Sequence, residues 1–218
     1  MQRILLLLAI PLFVCCKPKQ KADTGMLVST TDSIIATTNT SDLKVYYPVF
    51  ENQYADTVVK NMVNRQVELF NETVNEMDIT ENYTNELHIA YHIDQCQDHL
   101  VSVVFDQYWF TGGAHGNTVF SKAVMDVKHQ KKYVLNDFFT GDPLTSIQEP
   151  VRQILKKLID FHEFINDGTA STNDFEIFSI NDSLITFYFT PYQVAPYAYG
   201  SQKVSLPLTS LTNFKLPE

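Results

Sequence analysis

The chain has 218 residues, 16 Lys and Arg against 25 Asp and Glu, and a formal net charge of −9. Hydrophobic residues make up 44% and aromatic residues 12%, enough for a real core and against wholesale disorder. The acidic balance argues against a nucleic-acid partner, which needs clustered Lys and Arg, and three cysteines make a disulfide scaffold improbable.

Residues 1–15 read as a signal. Arg3 is followed by an apolar run from Ile4 to Val14, too short to span a bilayer of ~30 Å but suited to an export signal. The run stops at Cys15-Cys16, and Lys17-Pro18-Lys19-Gln20-Lys21 is abruptly polar. This resembles a bacterial lipoprotein signal, in which a thiol carries lipid and anchors the protein to the membrane. Cys16 fits the lipidated position better than Cys15, because a small residue precedes it; Phe13 departs from the tidiest pattern, and an ordinary signal peptide cut nearby is the alternative. The expected location is therefore the bacterial cell envelope, on its periplasmic or surface face.

Residues 16–41 read as a flexible tether. Ser29-Thr30-Thr31-Asp32-Ser33 and Ala36 to Ser41 are small and polar, with Ile34-Ile35 as the apolar exception. Leu43 to Pro48 alternates as a first strand. From Glu51 to Met77 the period changes to helical: Tyr54, Val58, Met62, Leu69 and Phe70 recur, and Val59, Val63, Val67 and Val74 widen the stripe. A meander follows. Leu87, Ile89, Tyr91 and Ile93 alternate with His88, Ala90, His92 and Asp94, and Leu100 to Phe110 is a second extended run. Cys96, flanked by acids, reads as a passive turn residue. Val119 to Val127, a turn at Lys128-His129-Gln130-Lys131, and Tyr133 to Leu135 continue the sheet. Leu144, Ile147, Val151, Leu155, Leu158 and Phe161 mark a second helix, with Pro150 in its first turn or splitting it. Phe175 to Ile180, Ser183 to Phe189 and Val204 to Leu208 return to β. The class is α+β: an antiparallel sheet of meanders and hairpins with two helices packed on one side.

His88 and His92 have a spacing that holds a metal on a helix, but on a strand they lie ~13 Å apart. Neither a metal nor a cofactor is expected. The turn Gly112-Gly113-Ala114-His115-Gly116 holds three of the chain's seven glycines. Glycine serves where φ is positive or another group approaches closely. No Gly-Lys-Ser/Thr ending follows, so it is not a phosphate loop. His115 is either a ligand contact or general base, or a packing residue that fixes the connection. Phe187 to Gly200 is dense in aromatics and Pro; exposed Tyr there would stack on sugar rings or anchor an interface, and buried Tyr would fill the core.

Tyr108-Trp109-Phe110-Thr111-Gly112-Gly113-Ala114-His115-Gly116, Leu135-Asn136-Asp137-Phe138-Phe139, and Pro191-Tyr192-Gln193-Val194-Ala195-Pro196-Tyr197-Ala198 together resemble two adjoining bacterial envelope domains. One is of the type that precedes the catalytic part of the peptidoglycan deacetylase PdaC. The other is of the type found outside the membrane in the anti-sigma factor RsiV, long a family of unknown function. The resemblance spans about residues 42–212 and divides the head into residues 42–117 and 118–218, forming one unit. It implies the α+β fold and no enzyme, because the deacetylase chemistry belongs to a separate metal-binding domain whose His-Ser/Thr-x-x-His pattern has no match here. It also implies an envelope binding module, for a cell-wall glycan (peptidoglycan) or for lysozyme, which the RsiV type binds directly.

The expected binding surface is Tyr108, Trp109, His115, Tyr192 and Tyr197, with Gly112, Gly113 and Gly116 shaping the turn. Two rivals stay open: a structural lipoprotein that docks onto an envelope complex, and an envelope hydrolase using His115 with a carboxylate such as Asp106.

Overall fold

The computed structural model describes residues 28–76, 83–96 and 99–217. The signal segment and Cys16 lie outside the described residues, as does the Cys96 side chain.

Strand β1 (Val28–Thr37) pairs antiparallel with β2 (Ser41–Phe50). This corrects the tether, because residues 28–37 are a strand. The ladder bonds are main-chain and do not depend on side-chain type. Ile34 packs on the core while Ile35 faces solvent, the period-two alternation of an edge strand. Asn52 then caps helix α1 (Gln53–Glu76), its Oδ1 accepting from the Ala55 N–H at 3.1 Å. Ala55, Val58, Val59, Val63 and Phe70 form its buried stripe. The helix carries the chain back so that β3 (Asn85–Cys96) runs parallel to β2, the arrangement a helical crossover allows and a tight turn does not. β4 (Leu100–Phe110), β5 (Asn117–Asp126) and β6 (Lys131–Tyr133) complete the first sheet by antiparallel pairing, in the order β1 to β6. The sheet therefore runs past residue 117, and a boundary there would cut the β4–β5 hairpin.

After a 3-10 turn at Leu135–Phe138 come α2 (Leu144–Leu155) and the short α3 (His162–Asp167). Pro150 sits inside α2, beyond its first turn, and does not split it. Residues Thr172–Phe175 form a 3-10 turn, so the strand expected from Phe175 begins at Phe178. β7 (Phe178–Ile180), β8 (Leu184–Phe189) and β9 (Gln202–Pro207) form a second, antiparallel sheet. The α+β class holds, but the strands divide between two sheets and each helix serves its own.

Alternation along β4 and β5 shows how the layers stack. Val101, Val103, Phe105, Ala123 and Met125 belong to the core under α1. Leu100 and Val124 belong to the core that Ile147, Val151 and Leu155 of α2 share with Phe178, Ile185, Phe187 and Val204. Successive residues point to opposite faces, so the second sheet covers the face of the first that α1 leaves open. Polar bonds fix the contact between the sheets. The fully buried Ser102 hydroxyl donates to the Ile180 carbonyl and accepts from the Ile180 N–H at 3.1 Å, and Ser179 donates to Asp94 at 2.5 Å. The cover is partial. The part of the face nearer the β4–β5 turn stays open to solvent, and the unusual residues gather there.

Candidate functional site: an aromatic shelf and sheet-face cleft

Lys44 and Tyr46 of β2, His88 and Ala90 of β3, and Asp106 and Tyr108 of β4 line a shallow cleft of about 300 Å³. Register brings them together: Lys44 pairs with His88, His88 with Tyr108, and Ala90 with Asp106. All lie on the face opposite α1. At one edge Asp42 accepts from Lys44 Nζ at 2.5 Å and Thr37 Oγ1 at 2.8 Å, and lies 3.3 Å from His88 Nε2. The Lys44 ammonium is the main reason that the Asp42 carboxyl is held at about 2, with Thr37 adding to it. Within the cleft, desolvation pushes the Asp106 carboxyl up, opposed by Lys203 from β9. Desolvation also raises the Tyr108 hydroxyl, with the nearby Glu86 and Tyr197 adding to it.

Tyr108 joins the cleft to the glycine-rich turn. Gly116 is buried against the Tyr108 ring, and a Cβ there would overlap the ring atoms. Gly112 has φ +99°, and the Tyr83 hydroxyl, which donates to the Thr111 carbonyl at 3.0 Å, fills the space where a side chain would go. Gly113 also has positive φ, +96°. These geometries leave His115 exposed at the tip. Its Nδ1 lies 2.9 Å from the Gly116 carbonyl, which also accepts from the Tyr197 hydroxyl at 3.0 Å.

The third component comes from the segment between β8 and β9. Gln193 holds this segment in place. Its Nε2 donates to the carbonyls of Gly168 at 3.2 Å and Asp174 at 2.8 Å, while its Oε1 accepts from the Thr190 N–H. Val194 and Ala195 are buried beneath. Tyr192 takes φ +70° and stands 55% exposed. The Tyr197 ring stacks on His115 with centroids 3.9 Å apart and an interplanar angle of 22°. Tyr192 lies 5.5 Å from Tyr197 and 6.4 Å from His115. Three rings, two from one connection and one from a turn about 80 residues earlier, thus form a shelf continuous with Tyr108 and the cleft.

Of the five residues expected to form the surface, Tyr108, His115, Tyr192 and Tyr197 come together. Trp109 does not. It follows Tyr108 on a strand, so it points to the other face and packs on the core under α1. The pairing of His115 with a carboxylate such as Asp106, on which the hydrolase alternative rests, is not formed: the His115 ring meets the Gly116 carbonyl and two tyrosines, while Asp106 lines the cleft. Lys44, Tyr46 and His88 also line the candidate site, at positions the sequence does not single out as a binding surface. Their signal was weak: alternate positions on strands whose pairing was unknown. His88 lies 3.3 Å from Asp42 and His92 3.2 Å from Asp94, and among the described residues no group of three His, Cys, Asp or Glu is placed to hold a metal ion.

Comparison with known proteins finds a family match for each part of the fold. Residues 34–118 match the family described as Deacetylase PdaC, and residues 136–209 match the family described as Protein of unknown function (DUF3298). A relative from Bacillus subtilis (strain 168), peptidoglycan-N-acetylmuramic acid deacetylase PdaC, is 31% identical over 175 residues. The match covers 77% of this chain and 37% of the relative's length. Two crystal structures share the fold. A DUF3298 family member from Bacteroides fragilis has a TM-score of 0.55 at 20% identity, covering 83% of this chain and 90% of its own. A DUF3298 family protein from Pseudomonas aeruginosa has a TM-score of 0.62 at 15% identity, covering 85% and 93%. The expectation that the chain is not an enzyme is overturned by the Bacillus relative, which is named as a peptidoglycan deacetylase.

Proposed function

We propose that this chain, which carries a PdaC domain followed by a DUF3298 domain, is a lipid-anchored protein of the bacterial envelope that engages the glycan of peptidoglycan on the aromatic shelf and adjoining cleft. The observation that carries this reading is the triad of His115, Tyr192 and Tyr197, with centroids 3.9 to 6.4 Å apart at the mouth of an open cleft. Flat rings receive the C–H face of a pyranose, and their polar edges remain available for its hydroxyls. Asp106, His88 and the Lys44–Asp42 pair line the continuation of the surface and offer donors and acceptors to hydroxyl and acetamido groups. The peptidoglycan named for the Bacillus relative is the same class of polymer.

Titration calorimetry with purified glycan strands tests the reading, with acetate release followed in the same mixtures. Binding that Tyr197→Ala and Tyr192→Ala both weaken supports it. Absence of binding, or binding that neither substitution changes, removes it. Mass spectrometry of the membrane fraction tests the anchor through an acyl adduct on Cys16.

The charge of −9 favours a second reading, in which a strongly basic protein such as lysozyme is steered to the head. That association would fade with added salt, whereas stacking of an uncharged glycan on the shelf would not.

A further inference from the structure

The two ends of the first sheet differ in chemistry. The shelf sits at the end where β4 turns into β5. At the opposite end, Val28 of β1 pairs with Phe50 of β2. Asn52 follows, and its Nδ2 donates to the Val127 carbonyl at 3.2 Å, where the β5–β6 turn begins. Val28 therefore lies at the same end of the sheet as the segment Lys128-His129-Gln130-Lys131-Lys132, which spans the β5–β6 turn and the start of β6, although β1 and β6 are the two edges of the sheet. β4 has 11 residues, so the two ends are on the order of 30 Å apart.

The β5–β6 turn and the start of β6 make this end of the sheet cationic, with Lys131 and Lys132 on opposite faces of the strand. The Asp126 carboxylate, 1% exposed, accepts from the N–H groups of Lys128 and His129, both at 2.8 Å, and from His129 Nδ1 at 2.7 Å. That carboxylate is turned inward, while the side chains of Lys128, Lys131 and Lys132 are exposed. Lys131 Nζ lies 4.6 Å above the Tyr133 ring. Lys131 and Lys215 share a cleft of about 510 Å³ with Tyr133 and Asp137. Asp137 there accepts from the Val134 N–H at 2.9 Å, and the exposed acids on the segments flanking the entry point are Asp32 of β1 and Glu51, which follows β2. Four lysines thus gather at the anchor-proximal end of a chain whose net charge is −9.

We infer that this end docks on the anionic phospholipid surface into which the chain is anchored, with the Lys131–Lys215 cleft receiving a phosphate headgroup. The shelf then points away from the membrane, toward the wall. Lysines held near an anionic leaflet add affinity residue by residue and are screened by salt. The orientation rests on the anchor proposed above; the cationic surface does not.

The test uses the full chain with Cys15→Ser and Cys16→Ser, so that no acyl group contributes. Partitioning is measured on phosphatidylcholine vesicles with and without phosphatidylglycerol. The parent is expected to prefer the anionic vesicles. Replacing Lys128, Lys131 and Lys132 by Gln together is expected to lower that partitioning by about tenfold or more and leave the neutral vesicles unchanged. Lys156→Gln with Lys157→Gln removes charge from the far end of α2 and is expected to match the parent. Equal partitioning of parent and triple variant on anionic vesicles overturns the inference. So does an equal loss in the Lys156/Lys157 variant, or parent binding indifferent to phosphatidylglycerol. Failure to find an acyl group on Cys16 would instead remove the anchor and leave this result standing.

Discussion

The imidazole of His115 stacks on the phenol of Tyr197 at 3.9 Å, and the Tyr197 hydroxyl donates to the carbonyl of Gly116, the residue that follows His115. One tyrosine thus holds both the ring and the backbone of the turn. Tyr197→Ala removes a stacking face and releases His115, and glycan affinity is expected to fall by about three- to tenfold. Tyr197→Phe keeps the face and loses the hydrogen bond, so calorimetry is expected to show a smaller loss. Equal losses in the two variants would place the recognition on the hydroxyl rather than the ring.

Trp109 separates folding from recognition. It packs on the core under α1 while its neighbour Tyr108 lines the cleft. Trp109→Ala is expected to lower unfolding stability in urea by about 2–4 kcal/mol. Glycan affinity at a temperature where the variant is folded should match the parent.

Gly116 tests the join between turn and cleft. A methyl group there overlaps the Tyr108 ring, so Gly116→Ala must displace the ring or the turn. The expected cost is about 1–3 kcal/mol in thermal or urea unfolding, together with weaker glycan binding. Adding Tyr108→Ala to the variant should recover part of the stability, because the obstructing ring is gone.

Asp126 supplies a pH dependence. Burial by itself would raise its carboxyl, but bonds from the His129 side chain and from the N–H groups of His129 and Lys128 outweigh this and hold it below the ordinary range. A carboxyl with a lower pKa in the folded than in the unfolded chain stabilises the fold above the unfolded value near ~4. That contribution is lost as pH falls through the folded value. Asp126→Asn is therefore expected to cost about 1–2 kcal/mol at neutral pH, with the gap to the parent closing below about pH 4 in urea unfolding. A gap that stays constant across that window would mean that the proton is not involved.

Some of this was legible along the chain because it depends on local period. The helix expected over 51–77 is α1 at Gln53–Glu76, since its apolar stripe repeats on one face. The alternation at Leu87 to Ile93 and from Leu100 to Phe110 marks β3 and β4, and the glycines at 112, 113 and 116 mark an irregular turn. β1 was not legible, because its Thr and Ser side chains contribute little to a ladder made of main-chain bonds.

For the site, residue types were readable and faces were not. The sequence by itself determined that Tyr108, His115, Tyr192 and Tyr197 stand out as polar aromatics in turns and strands, because their density and their glycine and proline neighbours are local properties. Tertiary structure decided which of them meet. Strand phase sent Trp109 inward, and pairing across β2, β3 and β4 brought Lys44, His88 and Asp106 to one cleft. Gln193, fastened to the carbonyls of Gly168 and Asp174, carried Tyr192 and Tyr197 to a turn some 80 residues earlier. The physical reason is that a side chain's direction follows from local backbone geometry, whereas its neighbours follow from long-range pairing that no local pattern encodes.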